Sequence, residues 1–213
     1  MFDLSSKTKV NRRFRLAELY KLMAADKDVK ADAKGISSVV LMNVLSQDTM
    51  NVPAGDKVKE IYIFDIELSS KAIPALFISS LDKAINLHTL FVLRFSDERM
   101  LYGCYKEKTE KGVKLGKYYS TDWTKAQTPI SLPLNVFSMD DIYTAIIDEL
   151  IPIAAKQNET TSDFVARYDL IRKLKAEIDK KQRQVDNERQ SKKRFEINDE
   201  LKKLKEQLAI LEN

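Results

Sequence analysis

Glu60-Ile-Tyr-Ile-Phe-Asp-Ile-Glu-Leu68 decides how the first part of the chain is read. Taken from Lys57, it places Val58, Ile61, Ile63, Phe64, Ile66 and Leu68 so densely that the segment reads as a strand buried mostly on both faces. Ala75 to Leu87 follows with Leu76, Phe77, Ile78, Leu81 and Ile85 at helical spacing. Thr89 to Phe95 is then a second strand. A short polar turn at Ser96–Arg99 returns the chain through Met100 to Lys106, which makes a hairpin.

Working outward, Phe14, Leu16, Leu19, Tyr20, Leu22 and Met23 suit a short amphipathic helix. Ile36, Val39, Val40, Met42, Val44 and Leu45 suggest a second one. Asn51–Asp56, with Pro53 and Gly55, is a loop. On the far side, Lys108–Gly116 reads as a charged loop, Lys117–Thr121 as a further strand, and Thr128–Asn135, with Pro129 and Pro133, as an extended irregular stretch. Ser138 caps a helix through Ile151, with Asp140 and Asp141 at its positive end. The expected fold class is α+β: a small mixed sheet with flanking helices, spanning residues 1–157.

Composition changes near residue 160; beyond it there is no Gly, Pro or Trp. Residues 163–213 hold 14 Lys/Arg and 11 Asp/Glu, so most of the chain's net charge of +4 sits there. Arg167, Ile171, Leu174, Ile178, Lys181 and Val185 alternate in steps of four and three, as do Ile197, Leu201, Leu204, Leu208 and Leu211. These are a/d-type seams. They define a C-terminal unit, 158–213, expected to be a charged coiled-coil helix. The register slips between the seams, and Asp186–Arg194 has no apolar residue. One continuous helix with a stutter and an antiparallel hairpin turning near Asn187–Ser191 both fit. The absence of Gly and Pro at the turn favours the continuous helix.

One cysteine, Cys104, excludes an intrachain disulfide framework and a multi-Cys zinc site; one histidine, His88, excludes a multi-His metal site. Cys104 reads as a small buried residue and His88 as a structural one. No apolar run approaches the roughly 20 residues of a membrane span. Met1 to Tyr20 lacks the apolar core of a signal peptide. A soluble cytoplasmic protein is expected, with no membrane partner and no cofactor.

Three constellations carry chemistry. Asp65 and Glu67, followed by Lys71, offer two carboxylates and a lysine for a magnesium-dependent nuclease; the plainer reading is solvated residues at a strand end. Lys7-Thr-Lys-Val-Asn-Arg-Arg-Phe-Arg15 carries five positive charges in nine residues, and Lys9, Arg12, Arg13 and Arg15 suit phosphate contact. Arg183, Arg189, Lys192, Lys193 and Arg194 form a second basic stretch. Tyr118, Tyr119 and Trp123, interleaved with lysines, fit either stacking on bases or covering a sheet edge. No glycine-rich phosphate loop is present, and no serine sits in a nucleophile-elbow context.

Thr8-Lys-Val-Asn-Arg-Arg13 resembles the N-terminal signature of a bacterial family catalogued as domain of unknown function 4391. So do Glu60–Leu68, Leu81-Asp-Lys-Ala-Ile85 with His88, Tyr105-Lys-Glu-Lys108, Tyr118-Tyr-Ser-Thr-Asp-Trp123 and the leucine-spaced basic tail. The chain departs from that pattern in having Glu67-Leu-Ser69 where relatives often carry Glu-Leu-Lys, and Asn86 where they carry Pro. The first departure removes the lysine a Glu-x-Lys nuclease would need. The resemblance implies no particular activity. Its members are often encoded near helicases and DNA methyltransferases, which implies an accessory part of a DNA-processing or phage-defence (restriction-type) system.

The functional expectation is therefore a non-catalytic interaction protein that associates with a second copy or a partner protein through its C-terminal helix. Ile171, Leu174, Ile178, Val185, Leu201, Leu204, Leu208 and Leu211 would form that contact. DNA, a helicase or a methyltransferase are the partners the resemblance points to. The alternatives are the nuclease with Asp65, Glu67 and Lys71, and a plain nucleic-acid-binding module.

Overall fold

The computed structural model describes residues 4–110, 112–130 and 136–212. Two compact units divide the chain between Ala154 and Ala155. In chain order the first contains β1 (Lys9–Phe14), α1 (Leu16–Leu22), α2 (Lys27–Asp32), β2 (Ile36–Ser46), α3 (Gln47–Met50) and β3 (Glu60–Leu68). Then come α4 (Ala75–Ile85), β4 (His88–Phe95), β5 (Glu98–Thr109), β6 (Gly112–Ser120), β7 (Thr124–Lys125) and α5 (Met139–Leu150).

The described strands form one mixed sheet in the order β1-β2-β3-β4-β5-β6, with β7 also pairing on β5. β3 and β4 run parallel, joined by α4; the other pairings are antiparallel. This is the expected α+β class. β1 is a sheet edge.

One sheet face packs under α1, α2 and α4. Phe64, Ile66, Phe91 and Leu93 meet Leu19, Val29, Phe77, Ile78 and Leu81 in one buried cluster. Phe64 and Phe91 stack across the parallel pair at 5.8 Å. Asp32 closes the end of α2 and accepts the Phe77 N–H at 2.9 Å, which satisfies one orphan donor in the first turn of α4.

The other face is covered by α5 over part of its length. Gly103 leaves the space that Leu150 fills: a Cβ there would stand 3.1 Å from the Leu150 side chain. His88 meets Tyr143 edge-on at 4.5 Å. A loop carboxylate anchors this helix. Asp140 accepts N–H bonds from Asp56 (2.9 Å), Lys57 (3.2 Å) and Val58 (2.7 Å). Gly55 is needed for that approach, because a Cβ would lie 2.2 Å from Asp140 Oδ1. α5 thus sits over His88 and Gly103, and leaves the carboxyl ends of β3 and β4 open on this face.

Several expectations change. Ile36–Leu45 is not a helix but most of β2. Its register slips twice against β3, between Ile36 and Ser38 and between Leu41 and Asn43. Each bulge shifts the alternation by one residue, and two such shifts imitate helical spacing. Most of the basic segment is a strand: Lys9–Phe14 pairs with β2. The expected loop Lys108–Gly116 is mostly strand, because β5 runs to Thr109 and β6 resumes at Gly112; position 111 lies outside the described residues. Of Thr128–Asn135, positions 131–135 also lie outside them.

The second unit holds α6 (Thr161–Asn187) and α7 (Ser191–Glu212). They form an antiparallel hairpin, so of the two geometries open to the sequence the less favoured one is found. Glu188 is extended at φ −81°, ψ 123°, and ends α6 without Gly or Pro. The polar gap explains the break: no apolar residue between Asp186 and Arg194 rewards continuing the helix. Folding back buries Ile171 and Leu174 on one helix and Leu201 on the other. Arg167 Nη1 donates to the Leu211 carbonyl at 3.2 Å, and Lys181 pairs with Glu200, which fixes the antiparallel register.

Candidate nucleic-acid interface

The open half of the second sheet face is a cleft of about 470 Å³, lined by Lys9, Asn11, Val40, Met42, Asn43, Asp65, Val92, Arg94 and Arg99, with Leu4 and Ala126 at its rim. Its residues come from five neighbouring strands. A bulge in β1 between Lys9 and Arg12 helps to shape it. Asn11 takes the left-handed conformation there, φ 53°, which Asn tolerates better than most residues.

Arg94 and Arg99 are direct cross-strand partners on β4 and β5. The Arg94 Nε bonds both Asp65 oxygens, at 2.8 and 2.7 Å, and Nη2 bonds Oδ1 at 2.7 Å. Asp65 raises the Arg94 pKa further above its ordinary value. Arg99 is 5% exposed, and its Nη2 donates to the Thr128 carbonyl. Burial lowers its pKa from the ordinary arginine value, and it has no carboxylate partner among the described residues.

From Lys9 in the cleft, β1 and its flanking residues continue the positive surface. Lys7, Lys9, Arg12, Arg13 and Arg15 are all exposed, and no acidic residue stands between Leu4 and Ala17. None of the five makes an ion pair among the described residues. Arg12 lies over the Phe14 ring at 4.8 Å, so its guanidinium is held along the strand.

The structure does not gather Asp65, Glu67 and Lys71 into one site. Asp65 is buried and spent on Arg94. Glu67 is exposed and accepts a hydrogen bond from Ser38 at 3.2 Å. Lys71 pairs with Glu98 at 2.5 Å and lies 5.5 Å over the Trp123 ring. Among the described residues no group of three or more His, Cys, Asp or Glu side chains is placed to hold a metal ion. The aromatics near β6 are not laid out for bases either. Tyr118 stacks on Tyr102 at 5.0 Å, Tyr119 is buried, and Trp123 packs against the core cluster.

Sequence reasoning missed a sealed polar cluster under α4. Lys106 Nζ bonds Asp82, the Leu87 carbonyl (2.6 Å) and Thr89 Oγ1 (2.7 Å). Tyr118 donates to Asp82 Oδ2 at 2.7 Å and Cys104 Sγ to the same atom at 3.5 Å. Burial, opposed by Asp82, lowers the Lys106 pKa. Burial pushes the Cys104 thiol up to about 12, which leaves it an inert buried residue. On the opposite face burial, helped by Lys106, takes His88 down to about 4. The signal for the cluster was Asp82 itself, an acid on the inward stripe of a helix that otherwise shows Phe77, Ile78, Leu81 and Ile85.

In the tail, Ile171, Leu174 and Leu201 are buried, while Ile178, Val185, Leu204, Leu208 and Leu211 stay half-buried. Arg183, Arg189, Lys192, Lys193 and Arg194 are exposed near the hairpin turn. No helix among the described residues is long and apolar enough to cross a membrane.

A family model described as a domain of unknown function, DUF4391, matches residues 2–208. No curated protein and no solved structure matches the chain.

Proposed function

The chain belongs to the DUF4391 family, and from that premise we propose that it is a non-catalytic accessory protein that binds the phosphate backbone of nucleic acid along β1. The observation that carries this is the edge strand itself. Five exposed cations, none of them in an ion pair among the described residues, follow one another along β1 and the residues that flank it at the rim of a sheet. A charged edge strand also blocks edge-to-edge pairing, but that task is met by any few charges. A run without a single acid is what a polyanion selects. Six residues in β1 span about 20 Å, the length of several phosphate steps. The DNA-processing or phage-defence setting belongs to this same proposal.

The test is binding of duplex and single-stranded DNA to the full chain by fluorescence anisotropy across a salt series. With four contacts on duplex, the plot of log affinity against log salt has a slope of about −4, and each of Arg12→Ala, Arg13→Ala and Arg15→Ala reduces its magnitude by about 1. Affinity that ignores salt, or that survives all three substitutions together, overturns the reading.

The hairpin supplies a second contact in this reading, with another copy of the chain. Leu170 (44% exposed), Phe195 (68%) and Ile210 (72%) are large apolar side chains left open on a two-helix layer. Stacking two hairpins covers such a layer, as in a four-helix arrangement. Light scattering on the full chain tests it: a dimer that Phe195→Glu with Ile210→Glu turns into a monomer supports the contact, and a monomeric unmodified chain removes it.

A further inference from the structure

The cleft asks for an anion that the described residues do not supply. Arg94 and Arg99 stand directly opposite each other on neighbouring strands and point to one face. Like charges in that position are unfavourable. Among the described residues Asp65 is the one carboxylate lining the cleft, and three bonds commit it to Arg94. Among the described lining residues Lys9, Arg94 and Arg99 therefore face a single negative charge, an excess of two positive charges.

Arg99 sharpens the point. A guanidinium that is 5% exposed and lacks a counter-ion among the described residues is costly to bury. Its bond to the Thr128 carbonyl satisfies one nitrogen. No sealed side-chain nitrogen or oxygen in the described residues lacks a partner, so the remaining guanidinium nitrogens are not sealed, and Arg99 lines the cleft. The volume, about 470 Å³, is that of a small-ligand pocket. Val40, Met42 and Val92 line it with apolar surface beside the cations.

We propose that this cleft is a phosphomonoester site, in which Arg99, Arg94 and Lys9 hold the terminal phosphate of a nucleic-acid strand or of a free nucleotide. A guanidinium fork matches two phosphate oxygens, and a dianion matches the excess charge. Lys9 belongs to both β1 and the cleft, so a strand lying along the edge brings its end to Arg99. That version rests on the proposed function of β1; the nucleotide version stands on the cleft alone.

The experiment uses the full chain and four probes: inorganic phosphate, AMP, and one single-stranded oligonucleotide with either a 5′-phosphate or a 5′-hydroxyl. Calorimetry is expected to show AMP binding, and a 5′-phosphate advantage of about tenfold or more. Arg99→Gln, with an unchanged circular dichroism spectrum, is expected to lose both while still binding the hydroxyl-ended strand. If Arg99→Gln does not fold, Lys9→Gln at the exposed rim should lower both affinities. AMP binding without a 5′-phosphate advantage makes the source a free nucleotide. AMP binding with no oligonucleotide bound at all sinks the β1 reading and leaves the cleft standing. No binding of phosphate or AMP, together with equal affinity for the two strand ends, overturns the proposal.

Discussion

Lys106 on β5 and Asp82 on α4 form an ion pair from which solvent is wholly excluded, with no exposed surface on either side chain. Two ions so deep in a core are held by what surrounds them. Thr89, Tyr118, Cys104 and the Leu87 carbonyl complete the cluster, joining α4 to β4, β5 and β6. Removing one ion leaves the other unpaired. Lys106→Met is expected to destabilise the protein by about 3–5 kcal/mol, while Lys106→Met combined with Asp82→Leu recovers most of that loss. Urea denaturation of the parent and the two variants measures it; a double variant no better than the single one contradicts the account.

His88 makes stability depend on pH. Its ring is buried against Tyr143, and it is held neutral by burial and by Lys106, against the pull of Asp140 and Asp82. With the unfolded value near 6.5 and the folded value about 4, the unfolded chain binds the extra proton first. This group's contribution is complete above pH 6.5 and is lost as pH falls toward 4. The melting temperature should therefore drop across that window, and His88→Gln should flatten the drop. A variant with the same pH profile as the parent would show that other groups cause it.

Asp140 ties the loop before β3 to α5. Asp140→Ala strands the N–H groups of Asp56, Lys57 and Val58, of which the last is partly buried. The expected loss is about 2 kcal/mol. Gly55→Ala should cost stability for a different reason, since its Cβ collides with Asp140 itself. In the Asp140→Ala background the clash with the carboxyl group disappears, and only the one with the backbone nitrogen of residue 140, 2.8 Å away, remains. The two effects are thus expected to be strongly non-additive in thermal melts, and simple additivity would refute the collision.

The parts of the fold that were legible are those whose pattern keeps its phase. β3, α4 and β4 carry unbroken apolar runs and were readable, as was the Ser138 cap. β2 was not, because two bulges scramble its alternation; its β-branched residues Ile36, Val39, Val40 and Val44 were the better guide. The cleft was half legible. Lys9 stands out in a basic run, but Arg94 and Arg99 face each other only once the hairpin turn is narrowed to Ser96–Asp97, which sets Phe95 opposite Glu98. Spacing along the chain brought Asp65, Glu67 and Lys71 together; in space each of them has a different partner.

The tail gives the last prediction, because sequence and structure part over one geometric choice. Spin labels on cysteines placed at Lys173 and Lys205, both exposed, report it directly. Arg167 beside Leu211 and Lys181 beside Glu200 put those two positions level across the hairpin. Helix axes in such a pair lie about 8–10 Å apart, so the labels should be close. In one continuous helix the same positions would be about 48 Å apart at 1.5 Å per residue. The native Cys104 does not interfere: it is buried, and its thiol is pushed up to about 12. A short distance in the full chain at low concentration confirms the hairpin. A long one would mean that α6 and α7 run on as one helix, with both seams left for a partner.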